Sequence, residues 1–166
     1  LTRHEETRTL AVSGGWGSTG KGIDPDNEKW SKAYAEIKEQ LTPKDYESAR
    51  STVLNAHYTN PMVIKAMYQA VGRMGLQPGN ILEPSCGIGN FFGLLPEGMQ
   101  GARLYGVELD SLTGRIAKQL YQKADITVDG FENTDYPDDF FDLAMGNVPF
   151  GEYKVHDRRY DRQHLL

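Results

Sequence analysis

The chain has 166 residues, enough for one domain, with 39% hydrophobic and 25% charged residues, the balance of a globular protein. A net charge of −5 argues against the whole chain being a nucleic-acid glove, and the single cysteine, Cys86, excludes an internal disulfide. No apolar run approaches the length of a membrane span and no signal-peptide core opens the chain, so the expected location is the bacterial cytoplasm.

The first residue is Leu, not Met, and the sequence is expected to be a piece of a longer protein. Residues 1–29 read as an irregular arm or linker. Gly15, Gly20 and Lys21 have the spacing of a phosphate loop, but Gly22 stands where a Ser or Thr would hold magnesium, and no strand precedes the run. Residues 30–78 read as a helical N-terminal extension. Trp30, Ala33, Tyr34, Ile37 and Leu41 recur at helical spacing, predicting a helix over 30–40. Thr42 and Pro43 restart a helix as cap and first turn, running to about residue 54. Asn60 and Pro61 repeat that signal, with Met62, Val63, Ala66, Met67, Ala70, Val71 and Met74 as the expected apolar stripe and Gly75 as the stop.

From residue 79 to 166 the rhythm changes. Short apolar strands are expected at 81–82, Arg103–Val107, 126–128 and 141–145, alternating with helices at 90–95 and 111–122. Such alternation predicts βαβ units and a parallel α/β sheet of Rossmann-like type, here ending after about the fourth strand.

Glu83-Pro84-Ser85-Cys86-Gly87-Ile88-Gly89-Asn90-Phe91 joins the first strand to the first helix. Two glycines two apart let backbone approach a ligand at a helix N-terminus. A dinucleotide fingerprint needs a third glycine where Phe92 stands, and a phosphate loop needs a lysine that is absent; a nucleoside cofactor without phosphates remains. Glu108 closes the second strand about twenty residues past this turn, the place for an acid that accepts from both ribose hydroxyls. Asp129 ends the third strand, placed to accept from an exocyclic amine, with Phe131 near enough to pack on a base. Either acid alone could equally be a turn or cap residue.

Asn147-Val148-Pro149-Phe150 follows the fourth strand. A nucleobase amine is a poor nucleophile because its lone pair is delocalised into the ring. The Asn147 side-chain oxygen and the Val148 carbonyl could take its two N–H bonds, favour a tetrahedral nitrogen and aim the lone pair, which is catalysis by positioning and electrostatics. Pro149 would fix the turn and Phe150 would stack on an extruded base. The plainer reading is an asparagine turn with a packed aromatic.

These stretches together resemble a known family. Glu83 to Gly89 looks like motif I of class I S-adenosylmethionine-dependent methyltransferases, and Asn147-Val148-Pro149-Phe150 looks like motif IV of the amino-methylating DNA enzymes. His57-Tyr58-Thr59-Asn60-Pro61 is similar to their motif X, with Asn60 intervening before the proline; Val148 replaces the usual first proline of motif IV. The motif order is that of the gamma class of N6-adenine DNA methyltransferases. The run from Gly14 onward resembles the methylase part of large helicase–methylase proteins of bacterial mobile elements.

The resemblance implies S-adenosylmethionine as cofactor, double-stranded DNA with a flipped-out base as partner, a larger parent chain, and neither metal nor membrane. It implies that Tyr58 and Thr59 touch the methionine end of the cofactor, with Glu83, Pro84, Ser85, Gly87, Gly89, Asn90 and Phe91 beside it. Glu108 with Leu109 would hold the ribose, Asp129, Gly130 and Phe131 the adenine, and Asn147, Val148, Pro149 and Phe150 the target base. Cys86 lies in the cofactor loop, away from the place of a carbon-methylating nucleophile, and reads as a small buried thiol. Lys154, Arg158, Arg159 and Arg162 follow the site and could meet phosphates or simply be solvated. Methylation of RNA or of a protein glutamine, and a non-catalytic cofactor-binding module, are the alternative readings.

Overall fold

The computed structural model describes residues 59–148 and, before them, Ala35, Lys38, Glu39, Thr42, Pro43, Tyr46 and Glu47. The glycine-rich arm, Tyr58, Pro149, Phe150 and the basic tail lie outside the described residues, as does most of the helix expected at 30–40. The restart at Thr42 is present: Pro43, Tyr46 and Glu47 are helical, and the Tyr46 N–H donates to the Thr42 carbonyl at 2.9 Å.

Asn60 opens the first fully described helix, α1 (Pro61–Arg73). Its side chain accepts the Met62 N–H at 2.8 Å, and Pro61 sits at the first position, where a missing N–H leaves nothing unsatisfied. Gly75 closes the helix with φ +76°. Its N–H reaches the Gly72 carbonyl and the Leu76 N–H reaches the Val71 carbonyl, the Schellman arrangement that needs a left-handed residue. The expected apolar stripe is corrected. The buried residues are Ile64, Tyr68 and Val71, spaced i, i+4, i+7, while Met62, Val63 and Met74 are exposed. The reason is tertiary. Tyr68 packs edge-on against Phe91 and donates its hydroxyl to the Phe91 carbonyl at 3.0 Å, which turns this face of α1 inward.

The strands are β1 (Asn80–Glu83), β2 (Arg103–Val107), β3 (Asp125–Thr127) and β4 (Leu143–Ala144), all paired in parallel in the order β3-β2-β1-β4. From β1 the chain steps outward to β2 and β3, then returns across the sheet to pair β4 on the other side of β1. This is a Rossmann-like parallel sheet, as expected, with its reversal point between β1 and β4. The helices α2 (Asn90–Gly93) and α3 (Ser111–Leu120) fill the first two crossovers, both shorter than expected, and two 3-10 turns, Glu97–Met99 and Phe131–Asn133, were not foreseen. The fourth strand is also shorter than expected and only partly buried. Ala144 is exposed, and Phe141 leaves the ladder to join Tyr105, Tyr136 and Phe140, with ring centroids 4.8 to 6.4 Å apart. Tyr136, Phe140 and Phe141 come from the β3-to-β4 connection itself, which has a 3-10 turn in place of a crossover helix.

Two apolar clusters share α2. Phe91 joins Ile64, Tyr68, Val71, Met99 and Met145, which ties α1 into the sheet core; Phe92 joins Cys86, Ala117 and Ile126. Small residues let α3 sit close to the sheet, and a Cβ on Gly114 would come within 2.8 Å of Val128. At the amino ends of the central strands the Asp142 carboxylate accepts from Gly79 N–H at 2.8 Å and Asn80 N–H at 2.7 Å, holding β4 to the start of β1. These two bonds pull the Asp142 carboxyl below its usual range.

Candidate active site at the strand carboxyl ends

In open α/β sheets ligands bind beyond the carboxyl ends of the strands, at the reversal point. Each strand here delivers a candidate residue to that edge: Glu83 ends β1, Glu108 follows β2, Asp129 follows β3 and Asn147 follows β4. Backbone bonds carry the ladder past the strands and fix where the loops begin. The Cys86 N–H donates to Val107, the Glu108 N–H to Thr127, and the Met145 N–H to Leu82, each at 2.9 Å.

The glycine turn is built for backbone, with φ +57° at Gly87 and +84° at Gly89. A Cβ on Gly87 would meet nothing, so that side of the turn is open to a ligand. A Cβ on Gly89 would fall 2.4 Å from the Tyr121 ring, which packs edge-on against Phe92. Gly89 therefore answers to packing as well as to backbone conformation. Of the other predicted residues in this loop, Pro84, Ser85 and Asn90 are half-buried. The Phe91 ring is buried in the core against Tyr68, and its carbonyl accepts the Tyr68 hydroxyl, so neither faces a ligand.

Glu108 bridges the two loops. Its Oε2 accepts the Gly87 N–H at 2.7 Å and its Oε1 accepts the Asp110 N–H at 2.8 Å. Burial raises its carboxyl above the usual range, and these backbone bonds pull the other way. Asp110 caps α3, accepting from Leu112 and Thr113, and Leu109 is exposed beside it.

Glu83 differs. It is 3% exposed, and its Oε2 has no hydrogen-bond partner. Burial first, then the neighbouring Glu108, pushes its carboxyl up to about 9, so it carries its proton at neutral pH. Gly146 passes close by, a Cβ there lying 3.4 Å from Glu83 Cγ. Cys86 is buried and its thiol is driven up by burial and then by the two acids, so it is no nucleophile at neutral pH.

Asp129 is exposed. Its Oδ1 accepts from the Asn133 side chain at 2.8 Å and from Gly130 N–H at 2.7 Å, and these bonds, Asn133's first, hold its carboxyl below the usual range. Phe131 is half-exposed in the 3-10 turn beside it, while Gly130 is buried. Asn147 and Val148 are exposed, and Thr59 lies half-buried before α1. The sequence reading missed Asn133, whose side chain closes the turn onto Asp129. It also missed Tyr121 over the glycine turn, for which no local signal exists. A separate cavity of about 560 Å³ lies between α1 and residues 94–99, lined by Lys65, Tyr68, Leu76 and Met99, at the opposite, amino-terminal end of β1. Among the described residues no group of His, Cys, Asp or Glu could hold a metal, and no helix is long and apolar enough to cross a membrane.

Fold and site together define a Rossmann-like domain whose ligand edge is lined by carboxyls. No family model matches the chain. It is 32% identical over 100 residues to the defense against restriction protein B of Escherichia phage P1, a match covering 59% of this chain and 4% of that protein. It is 38% identical over 74 residues to the type II methyltransferase M.CvrRI of Paramecium bursaria Chlorella virus XZ-6E, covering 45% of this chain and 19% of that one. The matched segment is thus less than a fifth of either relative. Among solved structures it is similar to a TehB-like SAM-dependent methyltransferase from Corynebacterium glutamicum, at 22% identity and a TM-score of 0.42, covering 71% of this chain and 54% of that one.

Proposed function

We propose that this chain carries the cofactor and target-base pockets of an S-adenosylmethionine-dependent DNA methyltransferase acting on adenine N6. One observation carries the reading. Glu83, the open Gly87 turn, Glu108, Asp129 and Asn147 come from the carboxyl ends of four adjacent parallel strands, with no Lys or Arg among them. A ligand that suits these acceptors has hydroxyls and amines to donate. S-adenosylmethionine meets this, and the buried, unpartnered Glu83 Oε2 is an acceptor that its cationic end would satisfy. The names of the two relatives, a type II methyltransferase and a protein defending against restriction, support DNA as the acceptor.

The cofactor supplies an electrophilic methyl group. The chain's part is positioning. Glu108 takes the ribose hydroxyls while keeping the Gly87 turn in place, and Asp129 takes the adenine amine with Phe131 against the base. Asn147 Oδ1 and the Val148 carbonyl accept the two N–H bonds of the target amine and turn its lone pair toward the methyl group. Phe150 holds the extruded base by stacking.

The test is transfer of labelled methyl groups to duplex DNA, tRNA and protein acceptors, followed by identification of the product nucleoside. N6-methyladenine is the expected product. Label in N4-methylcytosine, RNA or protein would overturn the acceptor assignment, and cofactor binding with no transfer would make the chain a binding module. Asn147→Ala should lower the transfer rate by about 10²–10³-fold, the usual cost of removing one positioned polar partner of a transition state.

A further inference from the structure

Two carboxyls share the floor of this site, and the structure treats them unequally. Glu108 is given two backbone N–H donors, from Gly87 and Asp110, which favour its ionised form. Glu83 is more deeply buried and has an oxygen with no donor at all. Two acids in one low-dielectric site cannot both ionise cheaply, so the charge goes to Glu108 and the proton stays on Glu83.

The titratable groups coupled to Glu83 are all acids, negative in their charged form. Glu108, at the end of β2, raises the Glu83 carboxyl, and Glu83 in turn raises Tyr68 on α1, Cys86 in its own loop and Tyr121 at the end of α3; beyond β4 the Gly146 backbone passes close to it. None is a cation, and among the described residues neither acid has a Lys, Arg or His partner.

Resting on the cofactor reading above, we infer that Glu83 exchanges its proton for the positive charge of the ligand, so that cofactor binding releases one proton. The O–H bond of the Glu83 carboxyl breaks, the proton passes to solvent, and the carboxylate is neutralised by the ligand's ammonium or sulfonium. Burial, which holds the free carboxyl near 9, disfavours an uncompensated charge; a seated cation removes that penalty. Glu83 is thereby a specificity residue. It favours ligands that bring a positive charge over neutral nucleosides of the same shape, and it links affinity to pH.

The test is calorimetric titration of the 166-residue chain near neutral pH in two buffers of different ionisation enthalpy. The ligands are S-adenosylhomocysteine, whose amino-acid end carries an ammonium, and 5′-methylthioadenosine, which has the same nucleoside and no charge. About one proton should be released per S-adenosylhomocysteine and none per 5′-methylthioadenosine, and affinity for the first should rise about tenfold per pH unit on the acid side of the Glu83 value. Glu83→Gln, which copies the neutral acid and keeps its shape, should bind S-adenosylhomocysteine more weakly, with no proton release and no pH dependence. Binding of S-adenosylhomocysteine without proton release, or undiminished release from Glu83→Gln, would overturn the inference while leaving the nucleoside site standing. If neither ligand binds, the cofactor reading falls and this inference falls with it.

Discussion

Glu83 sets a sign for the pH dependence of stability before any ligand is considered. Its folded value, about 9, lies above the ordinary carboxyl value of 4.5. A group raised in this way contributes fully at acid pH, below its unfolded value, and the contribution is lost as pH rises toward its folded value. The fold should therefore weaken between mildly acid and mildly alkaline pH, by up to about 1.4 kcal/mol per pH unit for one proton. Denaturant titrations at a series of pH values check this, and Glu83→Gln should flatten the slope; an unchanged slope would mean that Glu83 is ionised in the folded chain. Gly89 offers a second residue-level test. Its φ of +84° and the Tyr121 ring 2.4 Å from a built Cβ make Gly89→Ala costly on two counts, by about 2–4 kcal/mol in the same titrations. In the Tyr121→Ala background Gly89→Ala should lose the steric part of its cost and keep the backbone part, because φ remains positive.

At the scale of elements, local chemistry was legible and tertiary choice was not. Asn60 before Pro61, and Gly75 after Met74, mark the ends of α1 because caps and left-handed stops act within one turn of chain. Asn60→Ala should cost about 1 kcal/mol in a denaturant midpoint, since the Met62 N–H loses its acceptor. The buried face of α1 could not be read from apolar spacing, because two overlapping stripes exist and the choice between them rests on Tyr68 reaching Phe91. The same limit explains β4. Phe141 belongs to an apolar run that reads as strand, but its ring packs on Tyr105, Tyr136 and Phe140 and its backbone stays out of the ladder. Strand β2 was legible to the residue, since Arg103–Val107 is flanked by turn residues and has neighbours on both sides.

Over the whole molecule, the alternation of strands and helices led to the parallel sheet, and the sheet order explains why residues far apart in sequence can meet. Glu83 and Glu108 are 25 positions apart in the chain, yet the parallel pairing of β1 with β2 brings them close enough to couple. Glu108 was legible as a strand-end acid because its position follows from strand length alone. Its bond to Gly87 and the unpartnered Glu83 Oε2 depend on how two loops fold over a shared edge, which no spacing rule encodes. The central claim is that this edge holds a nucleoside cofactor through Glu108. Calorimetry of the chain with S-adenosylhomocysteine tests it most directly, comparing wild type with Glu108→Ala. We expect saturable binding, one ligand per chain, weakened at least about tenfold in the variant, as befits the loss of a charge-assisted bond to the ribose. Absence of binding by the wild type, or equal affinity in the folded variant, would contradict the account.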